Sequence, residues 1–183
     1  MSDPVSALGG AVYDGFATVK EIGPLGMISL RVKADMPGLA EAIRGAVGTG
    51  VPAQRQIEFN GGKAAGWMSP DEYLLILPYE ETGAALLALG SALQGQHHLA
   101  VVVSDARAVF RIEGDRADQV LAKLCPVDLP KLAEGELRRT RAAQVAVAFC
   151  RQGDGFTLVC FRSVAGYVMG LLQHSAMPGS ELS

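Results

Sequence analysis

The chain has 183 residues, of which 49% are hydrophobic and 19% are charged. This composition excludes a disordered chain, because burying so much apolar surface offsets the entropy cost of ordering the backbone. The net charge of −3 at pH 7 does not favour the basic face that nucleic-acid binding usually needs, so we expect no nucleic-acid partner. A mean hydropathy of +0.24 is high for a chain without a membrane segment and favours burial of apolar surface against a partner subunit.

The sequence carries no recognisable targeting or membrane signal. The N-terminal residues lack the basic start and apolar core of a secretory signal, and the longest apolar stretch, Gly83–Leu93, is short of the roughly 18 residues of a membrane helix. Cys125, Cys150 and Cys160 are odd in number and lack C-x-x-C spacing, which argues against a disulfide framework or a zinc site. We therefore expect a cytoplasmic protein that does not contact membranes.

The first half of the chain alternates strand and helix patterns. Apolar periodicity predicts strands at Met27–Lys33, Gln54–Phe59, Lys63–Met68, Glu72–Leu77 and Leu99–Ser104, with helices at Met36–Val47 and Glu80–Leu93. The first helix is predicted to bury one face, made of Leu39, Ala42, Ile43, Ala46 and Val47. The uninterrupted apolar run of the last strand predicts that this strand is buried.

The second half shows a similar order. Strands are predicted at Ala108–Glu113, Leu137–Phe149 and Phe156–Phe161, with helices from Asp115 to about Leu124 and at Val164–His174. Asp115 and Ser163 stand where a side-chain oxygen can cap the first free amides of these two helices.

The two halves can be matched to each other. Leu30-Arg31-Val32 aligns with Phe110-Arg111-Ile112, and the turn residue Asp71 aligns with Asp154. Each half has the order β-α-β-β-α, and the first adds a closing strand, as in the split βαβ pattern. We predict an α+β fold of two tandem ferredoxin-like halves in one compact unit: an N-terminal extension (1–26), a first half (27–104), a second half (105–176) and a C-terminal tail (177–183).

Residues capable of catalysis are scattered. His97 and His98 are adjacent at the start of a strand and point to opposite faces, and His174 closes a helix, where a cation suits the dipole. There is no G-x-S-x-G elbow and no phosphate-binding glycine loop in the required context. Asp71 follows Ser69-Pro70 in a turn, which favours a structural role. We therefore predict no catalytic, cofactor-binding or metal-binding residue in this chain.

Two features suggest a contact with a partner protein. The segment "GELRRTR" contains Arg138, Arg139 and Arg141; on a strand, the last two share one face and Arg138 lies opposite. Arginine anchors interfaces well, although a solvated strand entry would have the same pattern. Trp67, the only tryptophan, either belongs to the core or lies at a partner surface, where aromatic residues are enriched.

Taken together, these stretches resemble the gamma subunit family of heterotetrameric sarcosine oxidase. The similarity rests on "EIGPLGMISLRVKAD", "GWMSPDEYLLILP", "VVVSDARAVFRIEGDRADQVLAKLCPVDL", "RRTRAAQVAVAF" and "GDGFTLVCFRSVAGYVMGLL", which run in the family's order from about Glu21 to Leu172. That family in turn resembles the folate-binding aminomethyltransferase of the glycine cleavage system, which implies an aminomethyltransferase-like core.

The resemblance implies a role without catalysis by this chain. The holoenzyme oxidatively demethylates sarcosine to glycine and forms hydrogen peroxide and, with tetrahydrofolate, methylene-tetrahydrofolate. Its FAD, FMN, NAD and zinc belong to the other subunits. The implied partners are the alpha, beta and delta subunits, and the implied role is support of assembly.

Two other functions remain open at this point. The first is a stand-alone folate-binding one-carbon protein of the aminomethyltransferase type, although that enzyme is about twice as long. The second is a homo-oligomeric scaffold, since an isolated subunit with uncovered interface surface often self-associates.

Overall fold

The computed structural model describes residues 4–182 and separates them into two units. The central unit runs from Leu25 to Ser104. The terminal unit combines the residues up to Pro24 with those from Asp105 onward. Each unit has one antiparallel sheet and its own apolar core, so the predicted α+β class is confirmed.

Residues 4–182 form eleven strands and four α-helices. The strands are β1 (Val12–Asp14), β2 (Thr18–Glu21), β3 (Gly26–Arg31), β4 (Ile57–Asn60), β5 (Lys63–Ser69), β6 (Glu72–Leu77), β7 (Leu99–Val102), β8 (Arg107–Glu113), β9 (Leu137–Ala142), β10 (Val145–Gln152) and β11 (Gly155–Phe161). The helices are α1 (Leu39–Val47), α2 (Thr82–Ala92), α3 (Ala117–Ala122) and α4 (Ala165–Ser175).

The central unit is a ferredoxin-like half with one added strand. Its sheet has the order β4-β5-β6-β3-β7, in which β3, β5, β6 and β7 alternate with α1 and α2 as a βαββαβ unit. Strand β4 extends the sheet beyond β5. The core is formed by strand residues such as Leu30 and Leu75 and by helix residues such as Ile43 and Leu89, all of which are fully buried.

Helix α1 follows the predicted amphipathic pattern. Its buried residues are the five that periodicity placed on one face: Leu39, Ala42, Ile43, Ala46 and Val47. The helix begins at Leu39 instead of Met36, because Gly38 takes a left-handed conformation with φ of 84° at the N-cap position. Gly48, with φ of 75°, ends the helix in the left-handed geometry that glycine adopts without strain.

The terminal unit repeats this strand order, but the strand equivalent to β7 comes from the N-terminal residues, and one further strand from the same residues lies beside it. Its sheet runs β1-β2-β8-β11-β10-β9. Strand β2 pairs antiparallel with β8, placing Val19 opposite Ile112, and so takes the position that β7 holds beside β3 in the central unit. Residues assigned to an extension by the sequence therefore contribute two strands, β1 and β2, to this sheet.

The registers of the two sheets change the predicted alignment of the halves. Leu30 lies opposite Tyr73, and Ile112 lies opposite Phe156. When the two hairpin turns are superposed, Leu30 therefore corresponds to Ile112 and not to Phe110, so the predicted match was wrong by two residues. A shift of two residues keeps each side chain on the same face of its strand, which is why the apolar pattern did not reveal it.

Three other local predictions were wrong. The predicted long strand over 137–149 is a hairpin of β9 and β10, because a two-residue turn begins at Ala143, whose φ is 48°. Arg116, not Asp115, occupies the N-cap position of α3, and neither it nor the residue before α4 makes a side-chain cap bond. Strand β7 is not buried: Leu99, Val101 and Val102 are 55%, 42% and 41% exposed.

Lys123 is one of the residues that hold the C-terminal tail in place. Lys123 donates from Nζ to the carbonyl oxygen of Ser175 at the end of α4, at 2.7 Å, and to the Oγ of Ser180 at 3.0 Å. Its ammonium also lies 4.8 Å from the ring centre of Phe16. A cation at this position stabilises the negative end of the helix dipole and connects the tail to both α4 and the N-terminal strands.

A buried carboxylate organises the N-terminal residues. Glu21, at the end of β2, is 6% exposed. Its carboxylate accepts hydrogen bonds from the Ser6 hydroxyl at 2.9 Å and from the amides of Leu8 and Gly10 at 3.0 and 2.9 Å. Arg162 donates to the carbonyl oxygen of Ser6 at 3.2 Å. The loop before β1 is thus held to the sheet by polar contacts that sequence periodicity did not indicate.

Glu21→Ala is expected to lower the free energy of unfolding by about 3 kcal/mol, since it removes a buried carboxylate and leaves the amides of Leu8 and Gly10 without their charged acceptor. Glu21→Gln retains one carbonyl acceptor and should lose about half as much. Glu58→Ala is the control, because the bond that Glu58 accepts from the Gly50 amide lies at an exposed site. Urea denaturation measures all three; equal losses for Glu21→Ala and Glu58→Ala would contradict the assigned role of Glu21.

Candidate partner interface

Strand β9 forms one edge of the terminal-unit sheet and carries the predicted arginines. Arg139 and Arg141 are both exposed and lie opposite Ala148 and Ala146 of β10. The strand alternation therefore places them on one face, as the sequence predicts. They form a cationic stripe along an accessible sheet edge, which suits a carboxylate-bearing partner.

Arg138 has different surroundings. It lies opposite Phe149, its side chain is 31% exposed, and its Nη2 lies 3.0 Å from a carboxylate oxygen of Glu136. The Nε of Arg138 is buried and has no hydrogen-bond partner among the described residues. The structure thus brings the three arginines onto one strand but separates Arg138 from the exposed pair.

Trp67 lies in the central unit, on β5. It is half-buried and packs against the core that includes Tyr73, its cross-strand neighbour. The register shifts between Trp67 and Ser69, which marks a bulge just before the turn. The indole thus has both core contacts and a partly accessible surface.

Each unit holds a turn aspartate with an arginine. In the central unit, Asp71 accepts a bond from the Ser69 hydroxyl at 2.8 Å and lies 3.8 Å from Arg31. In the terminal unit, Asp154 lies 3.0 Å from Arg111. Asp71 is 60% exposed in its side chain, and its contacts fix the turn. This geometry supports the structural role inferred for the "SPDEY" segment.

Arg111 is the centre of a larger polar network on the second hairpin. Its guanidinium contacts Glu113 at 3.1 Å and donates to the carbonyl oxygen of Gln152 at 2.7 Å. Lys20 of β2 lies 2.6 Å from the other oxygen of Glu113. The hydrogen bond from Lys20, assisted by Arg111 and opposed by burial, holds the pKa of Glu113 below its ordinary value of 4.5. The pairing of β2 with β8 is therefore supported by charge as well as by the ladder.

A polar cavity of about 220 Å³ lies beside this hairpin in the terminal unit. Among its lining residues are three aspartates, Asp115, Asp118 and Asp154, with Arg151 and Phe156. The Arg151 guanidinium stacks over the Phe156 ring at 4.7 Å and donates to the carbonyl oxygen of Leu132 at 2.9 Å. Sequence reasoning assigned Asp115 only a capping role and missed this cavity, since its residues come from two stretches that lie far apart along the chain.

Helix α2 presents an uncharged surface to solvent. No residue of Thr82–Ala92 is charged, and Leu87 is 73% exposed. The exposed residues around Leu87 are small: Gly83, Ala84, Gly90, Ser91 and Ala92. An outer helix normally carries charged residues on its solvent face, so a helix that is apolar all round is usually covered. This feature was not used in the sequence analysis, although the absence of charged residues from the helix could have indicated a covered surface.

The three cysteines are buried and unpaired. Burial raises the pKa of Cys125 and of Cys150 to about 12 and that of Cys160 to about 11. Since the thiolate is the reactive form, these side chains act as small apolar groups. Nδ1 of His98 lies 3.0 Å from the carbonyl oxygen of Gln96, which can accept a hydrogen bond from it, and His174 is exposed on α4.

Residues 4–182 contain neither a metal-binding cluster nor a membrane-spanning helix. No group of three or more His, Cys, Asp or Glu side chains is arranged to hold a metal ion. None of the helices there is both long enough and apolar enough to span a bilayer.

The cysteines are expected to resist a thiol reagent in the folded chain. At about pH 8 fewer than one thiol per chain should react, whereas all three should react in guanidinium, because unfolding removes the burial that suppresses the thiolate. Absorbance of the released thiol anion measures the number. Rapid labelling of one native cysteine would contradict the burial described here.

Glu113→Gln is expected to change stability in a pH-dependent way. A carboxyl whose pKa is lowered on folding stabilises the protein above its unfolded pKa, and this stability is lost as the pH falls through the folded pKa. The advantage of the wild type over Glu113→Gln should therefore be present above about pH 4.5 and decline below it. We expect it to be about 1 kcal/mol or less, given partial solvent exposure. Urea titrations between about pH 7 and pH 3 measure it, with Glu41→Gln on α1 as control; a pH-independent difference would contradict it.

Comparisons with known proteins bear on the whole chain. The family model described as "Sarcosine oxidase, gamma subunit family" matches residues 31–177. The sarcosine oxidase subunit gamma of Arthrobacter sp is 34% identical over 146 residues, which cover 76% of this chain and 70% of that protein. A chain of heterotetrameric sarcosine oxidase from Corynebacterium sp. U-96, solved with pyrrole 2-carboxylate, superposes with a TM-score of 0.79 at 27% identity, covering 87% of this chain and 83% of that one.

A second solved structure extends the likeness at the level of fold. The glycine cleavage system aminomethyltransferase T from Bartonella henselae matches with a TM-score of 0.63 at 15% identity, over 83% of this chain and 44% of that one. At this identity the match shows the fold alone, and it confirms the expected aminomethyltransferase-like core. By its family match and its relatives, the chain belongs to the sarcosine oxidase gamma subunit family.

Proposed function

We propose that this chain is the non-catalytic gamma subunit of a heterotetrameric sarcosine oxidase. In this proposal it supports assembly of the complex that oxidatively demethylates sarcosine to glycine, with formation of hydrogen peroxide and methylene-tetrahydrofolate. The observation that carries the proposal is the family match over residues 31–177, supported by a relative named as subunit gamma at 34% identity.

The surface of the chain supports an assembly role. Leu87 stands 73% exposed on a helix without charges, and Arg139 and Arg141 form a cationic stripe at a sheet edge. Interfaces combine an uncharged centre with arginine anchors. Both surfaces are formed by regular secondary structure, so a partner meets them without a large ordering cost.

The proposal assigns the chemistry to the partners. The alpha, beta and delta subunits would contain the FAD, FMN, NAD and zinc, and this chain would contribute surface and stability to the complex in the cytoplasm. The cysteines and the turn aspartates fit a role in assembly. The cysteines are buried, and each turn aspartate lies beside an arginine.

A stand-alone folate-binding protein is the alternative. The likeness to aminomethyltransferase T favours it only in fold, and this chain covers 44% of that enzyme. Titration of the isolated chain with tetrahydrofolate separates the two functions. Saturable binding at micromolar concentration would support the alternative, whereas the gamma-subunit proposal expects the isolated chain to remain without folate.

The direct test is co-expression of the tagged chain with the alpha, beta and delta subunits of the same organism. We expect all four to co-purify and the complex to form hydrogen peroxide from sarcosine. Omission of the chain should reduce the yield of intact complex, because its apolar contact surfaces would then be missing. The proposal fails if the other three assemble and turn over sarcosine equally well without it, or if the isolated chain oxidises sarcosine.

The arginine stripe is tested by the double substitution Arg139→Glu with Arg141→Glu. If these side chains contact acidic groups of a partner, binding to the other subunits should weaken at least about tenfold. Lys33→Glu with Arg44→Glu makes the same change in net charge at exposed positions elsewhere and should have little effect. Quantitative co-purification measures both; equal retention of the two double variants would remove the arginines from the interface.

Trp67 needs a milder change, since it also packs against the core. Trp67→Phe keeps an aromatic ring there, so a loss of co-purification without a loss of thermal stability would place the indole at the partner surface. A loss of stability with unchanged co-purification would assign Trp67 to the core only.

A further inference from the structure

The two sheets correspond strand by strand except at one position. In the terminal unit the order is β1-β2-β8-β11-β10-β9, and in the central unit it is β7-β3-β6-β5-β4 when read in the same direction. Strands β2 and β7 thus hold equivalent places, each antiparallel to the first strand of its ferredoxin-like half. Strand β1, which covers the outer edge of β2, has no counterpart beside β7.

The uncovered edge of β7 is apolar. Leu99, Val101 and Val102 are 55%, 42% and 41% exposed. The strand contains no charged residue, no proline and no bulge. Such an edge is a template for pairing with another strand, and natural proteins normally protect it with charges, prolines or bulges.

The other sheet edges of the described chain have that protection. Asp14 is exposed on β1 and Glu58 on β4, and the arginine stripe lies on β9. Only β7 among these four edges lacks a charged residue. The contrast within a single chain indicates that the β7 edge is suited to pairing and not to solvent.

Half of the main-chain amides and carbonyls of β7 point away from β3, toward the uncovered edge. Val103 donates its amide to the carbonyl oxygen of Met27 at 2.8 Å. In an antiparallel pair, successive residues alternate between facing the partner strand and facing away. Leu99 and Val101 therefore turn their amides and carbonyls toward β3, while Ala100 and Val102 direct theirs outward. The structure gives these outward groups no hydrogen-bond partner within residues 4–182.

We propose that the outer edge of β7 receives a short strand, antiparallel to β7 and uncharged where it meets the valines, from another subunit of the complex. This inference rests on the proposed function. The internal repeat supplies its geometry, since β1 is such a strand: three residues that pair antiparallel with β2, Val12 opposite Lys20 and Asp14 opposite Thr18. Main-chain pairing provides the affinity and side chains on alternate positions provide specificity.

A partner subunit fits this edge better than a second copy of the chain. In a complex with one gamma chain, a second β7 is not present to pair with it, yet the exposed valines need cover to avoid aggregation. Strand addition by a different subunit satisfies both conditions.

Val102→Pro tests the main-chain pairing. Proline removes the outward amide at a position where the β3–β7 bonds do not use it, so binding to the other three subunits should weaken at least about tenfold. Val102→Thr keeps the amide and the branched shape and is the matched control, expected to bind like the wild type. Val101→Lys adds a charge without changing the main chain and should also weaken binding. This variant tests the same edge if Val102→Pro folds poorly.

Hydrogen exchange provides a readout that a loss of folding would not produce. In the wild-type complex of four subunits, the amides of Ala100 and Val102 should exchange at least about tenfold more slowly than in the isolated chain. Unchanged exchange at both amides in an active complex overturns the proposal. If amide exchange is also slowed in the concentrated isolated chain, and Val102→Pro abolishes this slowing, the β7 edge pairs with a second copy of the chain and the proposal is overturned. If the wild-type chain does not bind the other subunits at all, the proposed function fails and this inference fails with it. If Val102→Pro and Val101→Lys both bind the other subunits as tightly as the wild type does, only the inference fails.

Discussion

The pairing of β2 with β8 is the contact on which the terminal unit depends. Strand β8 has β11 on one side and β2 on the other, and its apolar residues Phe110 and Ile112 are fully buried. Val19 joins that core from β2, while Lys20 and Glu21 on the same strand engage Glu113 and the N-terminal loop. Apolar burial, charge pairing and a buried carboxylate thus act at three consecutive residues, Val19, Lys20 and Glu21.

Much of the fold follows from apolar periodicity. The buried face of α1 was predicted residue by residue, and the hairpin of β5 and β6 was found because Pro70 and Asp71 are strong turn formers. The repeat itself was visible because both halves keep the same order of patterns. The family resemblance then gave the aminomethyltransferase-like core, which periodicity alone does not specify.

The errors have physical causes. The turn at Ala143 lacks the glycine or asparagine that usually marks a positive φ, so β9 and β10 appeared as one strand. A run of apolar residues predicts burial without revealing what provides it, and Leu99–Val102 was therefore taken for an interior strand although it lies at an edge. Glu21 and Arg111 gain their importance from contacts between distant segments, which spacing along the chain does not encode. Of the predicted site, the shared face of Arg139 and Arg141 followed from strand alternation, whereas the uncharged surface around Leu87 was missed.

The discontinuous origin of the terminal unit has a consequence for biosynthesis. The segment from Leu25 to Ser104 is contiguous and can complete its sheet while later residues are still on the ribosome. The four residues of β2 are made early and can pair with β1, but their other neighbour, β8, is available only after it has been translated and has left the ribosome. For most of its synthesis the nascent chain therefore carries β2 without its neighbour β8, on the N-terminal side of a unit that can already fold. The contacts of residues 6–10 with Glu21 become fixed to the sheet only when β2 pairs with β8.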